Sequence, residues 1–211
     1  SPVGSYFRVR YELPRERPLV SIIIPTRDQA DLLRSCVESI RKRTRYPNWE
    51  LVVVDNQSTD EKARRYLEQL ANSGRATVVR FDRPFNYSAI NNFAVRHARG
   101  EVLCLLNNDT QVISPDWIEE MLGILLQPGV GIVGARLWYE DDTLQHGGVI
   151  VGAGGTAAHA HAFLTRSDSG YFGRAHLAQE FSAVTGACLM VRKSLYEELG
   201  GLDEKNLAVA F

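Results

Sequence analysis

No glycine-rich phosphate cradle opens the first helix of this 211-residue sequence. No Gly-x-Gly-x-x-Gly opens a helix, which argues against a dinucleotide-binding dehydrogenase, and no Gly-x-x-x-x-Gly-Lys-Ser/Thr is present, which argues against a P-loop enzyme. The absence of Gly-x-Ser-x-Gly argues against an α/β-hydrolase. Cysteine is scarce. Cys36, Cys104 and Cys188 sit inside apolar patterns without metal-ligand spacing, so they read as small buried core residues rather than disulfides or zinc ligands. That usage favours a reducing, cytoplasmic setting. No apolar run approaches a membrane span and no signal peptide is seen, although peripheral attachment through other parts of a longer protein stays open. Neither sign of charge dominates: 24 Lys and Arg face 25 Asp and Glu, a formal net charge of −1, so nothing points to nucleic acid as a partner. The basic cluster from Arg41 to Arg45 reads as a solvated helix end. There is no internal repeat.

What is present is an ordinary soluble composition and enough chain for a large core. Residues 1–18 carry Pro, Arg and aromatics without periodicity and are expected to be a linker or a segment lying on the domain surface; residues 19–211 are expected to form one domain. Residues 19–24 are rich in β-branched side chains and read as a strand. Leu33, Cys36, Val37 and Ile40 then share a helical face, with Asp28 as the expected cap. Residues 49–54 form a second strand. The helix after it places Ala63, Tyr66, Leu67 and Leu70 on its apolar face, and Ser58 and Glu61 have capping-box spacing. Residues 76–81 are a third strand. Residues 84–100 are a loop and a helix with Ile90, Phe93, Ala94 and His97 on one face, His97 being a core or boundary residue. Residues 101–106 form a short, continuous apolar strand, hence a buried one. Ser114-Pro115 reads as a cap with proline at the first helical position, leading into a stripe of Ile118, Met121, Leu122 and Leu125. Beyond Val130, residues 131–137 and 145–151 are expected as strands and 152–173 as a long mobile loop of the kind that is usually functional. Residues 182–191 are expected as a strand and 193–199 as a short helix. This β-α alternation implies an α/β fold whose mostly parallel central sheet has helices on both faces.

Three strands end in polar clusters: Thr26-Arg27-Asp28, Asp55-Asn56 and Asn107-Asn108-Asp109. In a parallel sheet all three lie on one edge, where open α/β sheets bind ligands. Asn-Asn-Asp alone is ordinary turn chemistry; three convergent clusters make a site. Without a glycine cradle, phosphate must be handled another way. Asp109 offers a hard anionic oxygen suited to Mg²⁺ or Mn²⁺, and such an ion can bridge a diphosphate. His159 and His161 alternate around Ala160 and read as polar surface, with approach to a metal as the alternative.

Val20-Ser21-Ile22-Ile23-Ile24-Pro25-Thr26, Val53-Val54-Asp55-Asn56-Gln57-Ser58-Thr59-Asp60 and Leu105-Leu106-Asn107-Asn108-Asp109-Thr110 resemble the signature blocks of glycosyltransferase family 2, the inverting enzymes with a GT-A fold. Phe85-Asn86-Tyr87-Ser88-Ala89-Ile90-Asn91-Asn92 and His146-Gly147-Gly148 resemble the bacterial branch that builds O-antigen and rhamnose-containing polysaccharides. The resemblance runs from about Leu19 to Phe211, and its specificity lies in the order of the blocks. It implies a nucleotide-diphosphate sugar donor of the UDP or dTDP type, a saccharide or lipid-linked saccharide acceptor, and Mn²⁺ or Mg²⁺ as cofactor. Pro25, Thr26, Arg27 and Asp28 would line the nucleotide pocket with Asn56 and Asn108, and Asp55 would accept a hydrogen bond from the N3–H of uracil or thymine. Asn86 and Asn91 would shape the sugar-phosphate side. Thr185-Gly186-Ala187 matches a segment under the donor sugar or acceptor, and His146 is a candidate to face the donor. Asn107 and Asp109 occupy the ends of the family's Asp-x-Asp motif, with Asp109 as metal ligand. Asn107 departs from the motif and can ligate only without charge, so metal binding is expected to be weaker or shared with the diphosphate.

A second departure concerns the general base that an inverting transfer needs. Gly200-Gly201-Leu202-Asp203-Glu204 resembles the family's Gly-Gly-Phe-Asp-Glu-like loop, which precedes the acidic pair carrying the base. The base is therefore expected just after Phe211, the polypeptide being a piece of a longer protein and inactive in transfer by itself. Asp203 and Glu204 are the fallback candidates, read first as structural turn residues. The Gln-x-x-Arg-Trp signature of processive synthases is absent, which favours single-sugar addition. Two rivals stand beside this reading. One is a nucleotide-sugar-binding module without activity. The other is a sugar nucleotidyltransferase, disfavoured because Pro25-Thr26-Arg27-Asp28 is not a Gly-x-Gly-Thr-Arg-type loop.

Overall fold

The computed structural model describes residues 6–209. In chain order its elements are β1 (Val20–Thr26), α1 (Ala30–Arg43), β2 (Trp49–Asp55), α2 (Glu61–Asn72), β3 (Thr77–Arg80), α3 (Tyr87–Val95), β4 (Val102–Leu106), α4 (Trp117–Leu125), β5 (Ile132–Gly134), β6 (Leu137–Trp138), β7 (Leu144–His146), β8 (Val149–Val151), β9 (Ala157–His159), β10 (Cys188–Arg192) and α5 (Lys193–Glu198). The main sheet has the order β3-β2-β1-β4-β10-β5. β3, β2, β1 and β4 are mutually parallel, whereas β10 runs antiparallel to both β4 and β5.

The apolar runs of the central strands reflect their burial on both faces. Side chains alternate along a strand. Ile22, Ile24, Val53, Cys104 and Met190 therefore pack with α1, α2 and α4, while Ile23, Val52, Val54, Leu105 and Leu189 pack with α3 and α5. All three cysteines are free and buried. Residues 6–18 run along α4: Arg8 and Arg10 pair with Asp116 and Glu120, and Tyr46 Oη donates to the Pro18 carbonyl at 2.7 Å.

Local capping differs from the sequence pattern. Asp28 does not cap α1. It has φ 61°, and its Oδ1 accepts from Thr59 N at 2.6 Å and Asp60 N at 2.8 Å. Nor does Ser58 cap α2. Asp60 does so by accepting from Ala63 N at 2.9 Å, while Ser58 Oγ accepts from Asp28 N at 2.8 Å. The loops after β1 and β2 are thus tied to each other rather than each to its own helix. α4 starts at Trp117, past the Ser114-Pro115 pair. His97 lies beyond the end of α3, exposed, its ring edge-on to Phe93 with centroids 4.9 Å apart.

The second half departs further. The strand expected over 131–137 divides: β5 joins the main sheet, and β6 turns away to pair with β7. The strand expected over 145–151 breaks at Gly147-Gly148, where Gly148 has φ 121° and a Cβ would overlap the Phe181 ring. The stretch expected as a mobile loop contains β9, which pairs back on β8 as a hairpin. Regular pairing in the strand expected over 182–191 begins only at Cys188. Short strands flanked by glycine carry too few alternating residues to set their own limits.

Gly100, just before β4, fixes that strand against β1. Its N–H donates to Ser21 Oγ at 2.8 Å, and a Cβ there would sit 2.5 Å from the Leu19 carbonyl oxygen and 2.8 Å from Ser21 N. These are backbone atoms, so room can be made only by moving strands. Gly100→Ala is expected to destabilise the protein by about 1–3 kcal/mol, read as a lower urea midpoint at unchanged slope. Asp28 gives a second test. Backbone N–H groups of Asp60 and Thr59 hold its carboxyl below its ordinary 3.8. A lowered folded value means that its contribution is fully present above pH 3.8 and disappears as pH falls through the lowered value. Asp28→Asn retains an acceptor and tolerates positive φ, so it isolates the charge. The variant should melt below the parent at pH 7, and the gap should close below pH 3.8.

Candidate functional site

β2, β1 and β4 lie side by side, and their register sets their ends level. Thr26 is opposite Asp55, and Ile23 is opposite Leu105. Neighbouring strands are about 4.8 Å apart, so the ends of β2 and β4 are separated by about 10 Å. Thr26, 6% exposed, joins the three clusters. Its carbonyl accepts from Asn56 N at 2.9 Å, and its Oγ1 accepts from Asn108 Nδ2 at 2.9 Å.

Asp55 is buried at the β2 side of this edge. Its Oδ1 accepts from Ser58 N at 2.9 Å, and its Oδ2 lies 3.9 Å from Arg80 Nη1, with no hydrogen bond to Oδ2 among the described residues. Asn56 donates from Nδ2 to the Phe81 and Arg83 carbonyls at 3.1 and 2.8 Å, which fixes the chain between β3 and α3. Its Oδ1 is buried without a partner among the described residues. Pro25 is half-buried within β1, and Arg27 is exposed with Nε 3.9 Å from Asp28 Oδ2.

On the β4 side, Asn107 N donates to the Ala187 carbonyl at 2.9 Å, and the Asn107 carbonyl accepts from Thr110 Oγ1 at 2.8 Å. The side chains of Asn107 and Asp109 make no hydrogen bond or ion pair with the described residues, and Asp109 is exposed. Cys36 lies beneath, its thiol pushed up to about 12 chiefly by burial, so it stays protonated and is no nucleophile. Among the described residues no group of three or more His, Cys, Asp or Glu could hold a metal. One free carboxylate and one free amide nonetheless fit a hard cation whose remaining ligands are phosphate oxygens and water, the usual manner of holding Mg²⁺.

Several expected site residues are engaged elsewhere. Asn86 caps α3, with Oδ1 accepting from Ala89 N at 2.8 Å and Nδ2 donating to the Glu204 carbonyl at 2.8 Å. Asn91 is fully buried and donates to the Tyr87 carbonyl at 2.8 Å. Both amides bond within or at the start of the helix, and Asn91 Oδ1 is buried without a partner among the described residues. His146 is 2% exposed and lies against the Thr185 segment. Its Nε2 accepts from Thr185 N at 3.4 Å, and its Nδ1 is 2.9 Å from His159 Nδ1. Burial, and then His159, lower it to about 4, so it is neutral at pH 7. His161 has φ 60° and turns its ring toward Phe181. Thr185 Oγ1 accepts from Ala187 N at 3.2 Å. Gly186 is pressed against α3: Tyr87 Oη donates to its carbonyl at 2.8 Å, and a Cβ would come within 2.8 Å of that oxygen. Asp203 holds a turn, accepting from Lys205 N and Asn206 N at 2.9 Å and from Asn206 Nδ2 at 2.8 Å, and these bonds lower its carboxyl. Glu204 Oε1 accepts from Asn92 Nδ2 at 2.9 Å.

Sequence reasoning passed over Arg80 and the role of Tyr87, and it read His159 as polar surface or a metal approach without its pairing to His146. Arg80 ends β3 directly opposite Asp55, so the strand-end rule applied to the other three clusters would have found it. Tyr87 and His159 act through tertiary contacts that carry no local pattern.

The sequence pattern of Glycosyl transferase family 2 matches residues 21–200. An uncharacterized protein, y4gI of Sinorhizobium fredii, is 50% identical over 195 residues, which are 92% of this chain and 22% of that protein. The O-antigen biosynthesis protein RfbC of Myxococcus xanthus is 42% identical over 206 residues, 97% of this chain and 16% of that protein. The chain thus spans under a quarter of the length of either relative. Among solved structures, the mannosyltransferase PcManGT of Pyrobaculum calidifontis, in complex with GDP-Man and Mn²⁺, aligns with TM-score 0.66 at 24% identity over 98% of this chain and 53% of its own. TarS 1-349 of S. aureus aligns with TM-score 0.56 at 15% identity, over 89% and 51%. These likenesses show the GT-A fold. With the family pattern covering most of its length, the chain belongs to glycosyltransferase family 2.

Proposed function

We propose that this domain binds a nucleotide-diphosphate sugar of the UDP or dTDP type and transfers the sugar, with inversion, to a saccharide acceptor in bacterial surface-polysaccharide assembly. The observation that carries the reading is the division of one sheet edge into two unlike ends. At β2 a buried carboxylate, Asp55, keeps one oxygen without a hydrogen bond. At β4 an exposed carboxylate and an amide stand free. A nucleoside laid across the intervening strand would place its base at the first and its diphosphate at the second. Asp55 would accept from N3–H of a pyrimidine, with Arg27 and Arg80 as exposed cations beside the nucleotide. Asp109 and Asn107 would hold a divalent ion, which neutralises charge as the nucleoside diphosphate departs. The resemblance of the chain to RfbC, a protein named for O-antigen biosynthesis, supports the polysaccharide setting.

The acceptor hydroxyl must lose its proton as it attacks. Asp203 is poorly suited to take it, because both its oxygens are engaged in the turn, and Glu204 has Oε1 engaged with Asn92. The same observation favours a second reading, a donor-binding module without transfer. Sugar transfer assayed with donor, Mn²⁺ and saccharide acceptor separates the two.

Asp55→Ala should weaken UDP or dTDP binding about tenfold, the order expected for a hydrogen bond to a charged group, and reduce the preference over ADP. Calorimetric affinities equal to the parent's would remove Asp55 from the base pocket. Asp109→Asn should abolish the part of nucleotide-diphosphate affinity that depends on Mn²⁺ and leave the metal-free part and the melting temperature unchanged. Equal metal dependence in parent and variant would place the ligand elsewhere.

A further inference from the structure

His146 and His159 meet between two elements that the proposed donor site does not itself use. His146 ends β7 and is enclosed, with Gly134 of β5 close by: a Cβ on Gly134 would lie 3.4 Å from His146 Nε2. His159 ends β9 and is exposed. The hydrogen-bond partners determine where the protons sit. His146 is neutral and carries one N–H. Its Nε2 accepts from Thr185 N, so its proton is on Nδ1. Nδ1 lies 2.9 Å from His159 Nδ1 and must donate to it. His159 Nδ1 is therefore the bare nitrogen, and the ring carries its proton on Nε2. One run of donors and acceptors, each with a fixed direction, thus links β9 to Thr185.

The run continues to the site. Ala187 N donates to Thr185 Oγ1 at 3.2 Å, and the Ala187 carbonyl accepts from Asn107 N at 2.9 Å. The β8–β9 hairpin is joined to the same segment by the mutual bonds of Val149 and Ala183, at 2.9 and 3.2 Å. On the other side Tyr87 presses on Gly186. The segment from Thr185 to Ala187 is thus held by α3 on one side and by the histidine pair at its start. Its carbonyl in turn sets the backbone from which the Asn107 and Asp109 side chains project.

We infer that His146 and His159 are a pair of positioning residues with fixed tautomers, which align Thr185–Ala187 and through it the Asn107–Asp109 turn for a metal-bound diphosphate. This inference rests on the donor-site reading above. Neither ring touches the donor; both act through the Ala187 carbonyl.

Two measurements test it. Nitrogen-15 NMR of the histidine-labelled protein at pH 7 should show His146 neutral with its proton on Nδ1 and His159 with its proton on Nε2. A proton on Nε2 of His146, or a charged His146, overturns the relay whatever the protein binds. The second measurement is titration with UDP, with and without Mn²⁺. His159→Leu removes the acceptor and should reduce the Mn²⁺-dependent gain in affinity about fivefold, the loss of one hydrogen bond, while metal-free affinity holds. His159→Asn, whose amide oxygen can stand near the place of Nδ1, should restore the gain. A Leu variant with the parent's Mn²⁺ gain overturns the positioning role, as does an Asn variant no better than Leu. If the parent binds no nucleotide with or without Mn²⁺, the donor-site reading fails, and the positioning role toward a metal-bound diphosphate fails with it. The NMR result then stands separately as a statement about tautomers.

Discussion

The parallel register of β1 with its two neighbours is the constraint on which the site depends. Thr26 sits opposite Asp55, and Ile23 opposite Leu105, because each of these strands is buried on both faces and a one-residue slip would exchange its two sets of apolar side chains between unlike cores. Once the core fixes the register, the strands run out of apolar residues at the same level. The polar residues beyond them have nowhere to go except the common edge. The site is therefore a by-product of core packing in its position and a matter of local chemistry only in its details.

Those details depend on the loops tying one another down. Across the gap between β1 and β2, Asp28 N donates to Ser58 Oγ and Asp28 Oδ1 accepts from Thr59 N and Asp60 N, with Asp28 and Gln57 both at positive φ. Positive φ costs energy in a non-glycine residue, so the reciprocal hydrogen bonds must outweigh that strain. Asn56 extends the same logic to the chain leaving β3. A base-binding carboxylate placed on such a frame needs little reorganisation when a ligand arrives, which favours affinity.

The first four strands, their helices and the shared edge were legible in the sequence because long, uninterrupted apolar periodicity dominates there. α1 and α2 bury the residues that their spacing selects, Leu33, Cys36, Val37 and Ile40, and Ala63, Tyr66, Leu67 and Leu70. Capping was less legible: Ser58 and Asp28 have the right spacing for helix caps, yet bond across loops, a choice made by tertiary proximity. The bonds of Asn86 and Asn91 to the Glu204 and Tyr87 carbonyls were not legible either, because an amide in a sequence carries no mark of its partners. Beyond Val130 the strands from β5 to β8 are two or three residues long, and no periodicity can be read from so few. The pairing of His146 with His159 crosses a turn and a hairpin and has no local signal at all.

The reversed strand gives the edge its asymmetry. β10 is antiparallel to β4, so the chain enters the sheet at Cys188, opposite Leu106, just where β4 leaves it. The segment leading into Cys188 therefore lies beside the turn that leaves Leu106, and Ala187 meets Asn107. A parallel strand in that place would present its C-terminal end here and its own outgoing loop, with no incoming segment to pair with the motif. The antiparallel entry supplies a backbone carbonyl to Asn107 N, a glycine that accepts close contact from Tyr87, and a threonine whose N–H is anchored by a buried histidine. The GT-A sheet thus orders the Asn107–Asp109 turn from two directions, and the chemistry proposed for that turn depends on both.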